Sequence, residues 1–177
     1  MRTLEPAKTF KVGAFELLSF LIVSSFFIMG AAFGYSFSSV SISEISFLSD
    51  FSLASSLLNV LLFPVFSFVI GYFVFGFAIL PLSSFAYGFL ISFSSGVLLR
   101  AGEFRRYYLC CGSRLVSAAV FILIASFSFR SSLSLFLASV NRGAVIPFSR
   151  KKLFLFLLAC AAVCAAAALE FWVSLII

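Results

Sequence analysis

The chain has 177 residues, of which 63% are hydrophobic and 10% charged, with 27 Phe and a net charge of +6. Soluble domains run at ~45–50% apolar and ~25% charged, so a soluble globular fold is excluded. About 111 apolar residues, at roughly 20 per crossing, supply about five membrane spans and leave no room for an extramembrane domain. The expected architecture is all-α: a polytopic transmembrane bundle, residues 1–177 forming one integral membrane domain.

In chain order, a short basic lead-in with Arg2, Lys8 and Lys11 precedes an apolar run from Leu17 to Phe37. Gly30-Ala31-Ala32 offers small residues of the kind a signal peptidase reads. The run continues through Phe33, Tyr35 and Phe37, which favours a first span, with a cleaved leader as the alternative. Ser38 to Asp50 is Ser-rich and holds Glu44 and Asp50 but no Lys or Arg, so the positive-inside rule puts it outside the cell and the N-terminus in the cytoplasm.

Residues 51 to 99 carry no charge over 49 positions, too long for one helix across a ~30 Å core. Two spans are expected, near 55–79 and 82–99, turning at Pro81 because proline cannot continue the helical hydrogen-bond ladder. Pro64 is read as a kink or early break in the second span. Arg100 to Tyr108 (RAGEFRRYY) reads as a basic, aromatic interfacial loop, followed by a fourth span over about 109–127. The stretch 130–148, interrupted by Asn141, Arg142, Gly143 and Pro147, reads as a short interfacial segment, and Arg150-Lys151-Lys152 leads into a last span at about 153–175. This arrangement places eight Lys/Arg inside and four outside or at the outer interface, the four being Arg100, Arg105, Arg106 and Arg114. The Arg100–Arg106 group is its one violation of the positive-inside rule.

Chemistry-bearing residues are scarce. His is absent, and the six acids are scattered without pairing, so carboxylate-pair catalysis, a triad or a zinc site has almost no raw material. No catalytic residue, cofactor or metal is expected. Cys110, Cys111, Cys160 and Cys164 fall in apolar stretches and read as small core residues. Nucleic acid is excluded as a partner because +6 is spread over both interfaces with no basic soluble face.

What remains is helix surface. Ser84, Gly88, Ser92 and Gly96 recur every fourth residue and form one slim stripe on the third span. Gly30 and Gly34 on the first, and Ser67 and Gly71 on the second, repeat the spacing. Small residues let backbones approach closely, either within the bundle or against a partner. Glu16, Arg114 and Glu170 are the ionisable groups nearest membrane depth, where charge is expensive enough to suggest a role. Glu170 follows the slim run CAAVCAAAAL, suited to contact with Arg114 or with another protein, or else sits hydrated at the interface near Trp172.

The order of features resembles the stage II sporulation protein M family of bacterial integral membrane proteins. The likeness rests on Gly30-Ala31-Ala32-Phe33-Gly34 in the opening helix and on the Gly/Pro-punctuated pair from Val69-Ile70-Gly71 through Gly76-Phe77-Ala78-Ile79-Leu80-Pro81 to Tyr87-Gly88-Phe89-Leu90-Ile91-Ser92-Phe93. It extends to the closing Ala168-Leu169-Glu170-Phe171-Trp172-Val173. The sequence departs from the family after the third span, where RAGEFRRYYLCCGSRL holds no proline. The resemblance implies a non-enzymatic scaffold of endospore-forming Firmicutes, acting in septal thinning and engulfment by anchoring peptidoglycan hydrolases at the membrane. The competing class is the membrane substrate-binding subunit of a small-solute (vitamin or metal) transporter. That class usually has six spans and polar groups converging on an outer pocket, whereas Asn59 is almost the only polar residue beyond the serines at membrane depth here.

Overall fold

A computed structural model of the chain describes residues 6–38, 53–100, 102 and 104–140, together with positions 154, 156–162, 164, 165, 168 and 172. The protein is all-helical with five helices. These are α1 (Pro6–Phe37), α2 (Leu53–Ile70), α3 (Gly76–Arg100), α4 (Phe104–Val140) and a fifth whose helical positions fall between 154 and 172. Three helical stretches are long and apolar enough to cross a membrane: Glu16–Phe37, Gly76–Arg100 and Cys111–Val140, of 22, 25 and 30 residues. At 1.5 Å per residue they reach about 33, 37 and 45 Å. Leu61–Ile70 is a shorter apolar helix.

The break between the second and third helices differs from the sequence expectation. Pro81 lies inside α3 and Pro64, fully buried, inside α2, while the chain turns at residues 71–75. Because α3 begins at Gly76, Pro81 occupies its second turn, where the carbonyl freed by the missing N–H is near the helix start. Glycine sets the turn. Tight bonds from Tyr72 N–H to Val69 O (3.1 Å) and from Phe73 N–H to Ile70 O (2.9 Å) close α2. A Cβ on Gly71 would fall 2.6 Å from the Ser128 Cβ, and one on Gly76 would fall 2.9 Å from the Ser132 hydroxyl.

α4 also departs from expectation. The fourth span was placed at 109–127 with a separate interfacial segment beginning at Arg130, yet the helix runs unbroken to Val140. Between Arg130 and Val140 the sequence has serines but neither proline nor glycine, so nothing interrupts the ladder. The interruption expected from Asn141, Gly143 and Pro147 lies outside the described residues. Between α3 and α4, Gly102 takes φ +75°, the left-handed cap for which glycine is best suited, and its N–H bonds Leu99 O at 3.3 Å.

Cross-helix pairs fix the directions. Phe33 meets Phe85 and Phe37 meets Phe89, so residue numbers rise together and α1 lies parallel to α3. Phe63 meets Phe121 and Gly71 meets Ser128, making α2 and α4 parallel, while Phe27 meets Phe121 and Glu16 meets Arg130, making α4 antiparallel to α1. One end of the bundle therefore holds Glu16, the 71–75 turn and Arg130; the other holds Ser38, Arg100 and the start of α4. Midway between them, one ring from each of α1 to α4 meets at a node. Tyr87 lies 4.5 Å from Phe121 and 4.8 Å from Phe63, and Phe27 lies 6.2 Å from Tyr87 (ring centroids). Phe121 is fully buried there.

Ser132 ties the turn to α4. Its hydroxyl donates to Phe73 O (2.6 Å) and accepts from the Phe77 N–H (2.7 Å), satisfying one of the orphan donors at the start of α3 from another helix. Ser132→Ala is expected to lower stability by about 1–3 kcal/mol, because the Phe77 N–H loses its partner, while Phe73 O keeps only the Gly76 N–H at 3.0 Å. Ser139→Ala, at an exposed hydroxyl bonded within its own helix to Phe136 O, should stay within about 0.5 kcal/mol. Thermal unfolding in detergent compares the two, and equal shifts would refute a tertiary cap.

Candidate functional site

The small residues singled out in the sequence gather mainly on one seam. α1 packs more extensively against α3 than any other pair of helices packs. A Cβ added to Gly30 would collide with the carbonyl oxygen of Phe85 and one on Gly34 with that of Phe89. Reciprocally, Gly88 faces the Phe27 carbonyl and Gly96 the Ser38 side chain. Ser84 is buried and returns its hydroxyl to Leu80 O at 2.9 Å, and Ser92 is half-buried between Gly88 and Gly96. The glycines thus interlock, two from each helix, and bring the α-carbons of one strand of the seam against the carbonyls of the other. Phe33 and Phe37 on α1 flank the seam by packing on Phe85 and Phe89 of α3, with centroids 5.9 and 6.2 Å apart. Gly71 belongs elsewhere, in the contact of α2 with α4.

Polar groups at membrane depth close on each other. The Tyr87 hydroxyl pairs with that of Ser117 across α3 and α4. Ser25, Ser83, Ser84, Ser94, Ser95 and Ser126 bond to carbonyls three or four residues back in their own helices. That pattern satisfies hydroxyls where water is absent. Ser24 and Ser67 are the buried hydroxyls without a partner among the described residues.

Arg114 reaches from α4 to the Ser95 hydroxyl on α3 at 2.7 Å. Glu170, the other charge singled out, lies outside the described residues. The ion pair found instead is Arg130 with Glu16, joining α4 to α1 with side chains 33% and 55% exposed. Sequence reasoning missed it because the partners are 114 positions apart and Arg130 was read as a residue of the segment beyond the fourth span. The available signal was depth: Glu16 opens the first apolar stretch, and Arg130 lies in an unbroken helical run. At the opposite end Arg100 stands over the Tyr35 ring, 5.7 Å from its centroid. The nearby Tyr107 phenol is raised above its ordinary range first by Cys111 and then by burial, with Tyr108 and Tyr35 adding to the effect.

A cavity of about 290 Å³ opens between α2, α4 and the fifth helix. Its wall is mostly apolar, including Phe68, Leu123, Phe127 and Phe156, with Tyr72, Ser128 and Ser131 as the hydroxyl-bearing residues. Phe68 and Phe156 stack across it at 3.9 Å. Cys111, Cys160 and Cys164 form no disulfide, and no group of three His, Cys, Asp or Glu converges among the described residues. Comparison with protein families, curated proteins and solved structures finds no match to this chain.

The seam makes a prediction of opposite sign at two glycines. Gly34→Ala forces a methyl into the Phe89 carbonyl and should destabilise the bundle, whereas Gly112, in α4 with open space around it, should gain up to ~1 kcal/mol from Gly112→Ala through helix propensity alone. Thermal unfolding in detergent reads both, and a stabilised Gly34→Ala would show that the seam is not in contact.

Proposed function

We propose that this chain is a non-enzymatic, multi-pass membrane scaffold that works by holding other proteins at the bilayer. The observation that carries the reading is where the polar side chains at membrane depth go. Most of those described bond to neighbouring carbonyls, to each other or across helix seams, Ser24 and Ser67 being the buried exceptions, while the cavity between α2, α4 and the fifth helix is walled mostly by hydrocarbon. A vitamin or metal carrier needs convergent polar groups in its pocket to orient the solute. The small-residue stripe of α3 packs against α1 within the chain, so partners would meet the remaining outer faces of the helices.

The orientation proposed has the N-terminus in the cytoplasm and the Arg100 end outside. It is supported by the count of eight Lys/Arg inside against four outside and by the pairing of helix directions. Within the scaffold class, the resemblance to the stage II sporulation protein M family supports a place in the engulfment machinery, with peptidoglycan hydrolases anchored at the septal membrane. That finer reading rests on the sequence resemblance.

Deletion in a spore-forming host should arrest development at engulfment, and affinity purification of the intact membrane protein should bring down a cell-wall hydrolase that Glu170→Ala fails to retain. Normal engulfment in the deletion strain, with saturable uptake of a vitamin or metal by the protein plus an ATPase module, would replace the scaffold by a transport subunit.

A further inference from the structure

The cavity of about 290 Å³ between α2, α4 and the fifth helix exists because small residues meet there. Gly71, Ser128, Ala159 and Ala162 leave space that the rings of Phe68, Phe127 and Phe156 do not fill. Leu123, Phe127 and Leu158 border it and are more than half exposed, so its mouth opens sideways, on the flank that the bundle turns to hydrocarbon. Among the described residues, none that lines it is charged.

Depth orders the wall. α4 runs from the aromatic node at Phe121 toward the Glu16–Arg130 end, and at 1.5 Å per residue Ile124 stands about 5 Å past the node, Ser128 about 10 Å and Ser131 about 15 Å. Half of a ~30 Å hydrocarbon core is about 15 Å. With the node at mid-bilayer, the deep part of the cavity is apolar, while Tyr72, Ser128 and Ser131 line it near the boundary where hydrocarbon gives way to headgroups. A glycerolipid has the same order, hydrocarbon within and ester carbonyls at that boundary.

Ser128 supplies the polar signal. It is 5% exposed, and among the described residues its hydroxyl has no hydrogen-bond partner, neither a carbonyl of its own helix nor a group across the seam. The Ser24 and Ser67 oxygens are closed in by protein, whereas Ser128 borders the open volume. A buried O–H without an acceptor is costly where water is absent, so Ser128 favours an occupant that brings an oxygen to it.

We propose that the cavity holds one acyl chain of a glycerolipid, with the ester carbonyl accepting a hydrogen bond from the Ser128 hydroxyl. About 12 Å separates Leu123 from Ser131 along α4, so the site takes the part of the chain next to the ester and leaves the headgroup outside. Selection is by chain and ester, not by headgroup charge. The site depends on the protein spanning a bilayer, not on its working as a scaffold.

The full-length chain, stripped of lipid in detergent, is presented with dioleoyl phosphatidylcholine and with its diether analogue, which lacks the carbonyls, and retention is read by native mass spectrometry. The ester lipid should be retained about fivefold better, the weight of one hydrogen bond, and Ser128→Ala should remove that preference. Ala162→Phe, which puts a ring into the mouth from an exposed position, should abolish retention of both lipids while leaving thermal unfolding of the lipid-free protein unchanged or raised. Dioleoyl phosphatidylglycerol should compete with phosphatidylcholine on equal terms. Equal retention of ester and ether lipids by the unsubstituted chain would overturn the Ser128 contact, and full retention in Ala162→Phe would overturn the cavity as the site. Displacement by equimolar oleic acid would make a free fatty acid the occupant and overturn the glycerolipid. A change of oligomeric state in Ala162→Phe, with lipid retention intact, would assign the cavity to a second copy of the chain.

Discussion

The close approach of α1 to α3 is the constraint on which the rest of this bundle depends. In a bilayer the apolar effect gives helices no reason to prefer each other over lipid tails, so association falls to van der Waals contact and to hydrogen bonds. Gly30 and Gly34 on one helix and Gly88 and Gly96 on the other remove the side chains that would hold the backbones apart. Carbonyls of Phe27, Phe85 and Phe89 then sit against opposing α-carbons, where weak Cα–H···O contacts add to dispersion. The large residues beside the glycines fill the flanks of the seam, as the Phe33–Phe85 and Phe37–Phe89 pairs do.

With α1 and α3 locked in parallel, α4 fits against both in the opposite sense. Phe121 inserts between Phe27, Phe63 and Tyr87, so that one residue touches rings from three other helices. The two ends are then fastened by different chemistry. At one end Ser132 caps α3 and Glu16 holds Arg130; at the other Arg114 reaches Ser95 and Arg100 covers Tyr35. The first end has a carboxylate for its guanidinium. The second, in its described contacts, uses a hydroxyl and an aromatic ring.

Much of this was legible in the sequence. A 63% hydrophobic chain with long uncharged runs dictates membrane-length helices, and the four-residue recurrence of Ser84, Gly88, Ser92 and Gly96 marked a slim face before any contact was known. The turn was misplaced because proline was weighted above glycine. Pro81 is tolerated in the second turn of α3, whereas Gly71 and Gly76 are required by how closely Ser128 and Ser132 approach. The Glu16–Arg130 pair and the Ser132 cap were invisible for a different reason: each joins residues far apart in the chain, and no periodicity within one helix encodes a contact between two. Serine carried least information of all, since a hydroxyl satisfied by its own helix and one that caps a neighbour look alike in sequence.

The central claim, a parallel α1–α3 seam in direct contact, is tested by oxidative cross-linking in a background without native cysteine. Cysteine pairs replace Phe33 and Phe85, and Phe37 and Phe89, the residues whose rings pack across the seam with centroids 5.9 and 6.2 Å apart. Both pairs should form intramolecular disulfides in membranes, because only a parallel arrangement advances four residues along each helix together. Bridging of one pair without the other would contradict the parallel seam, and bridging of neither would remove the contact.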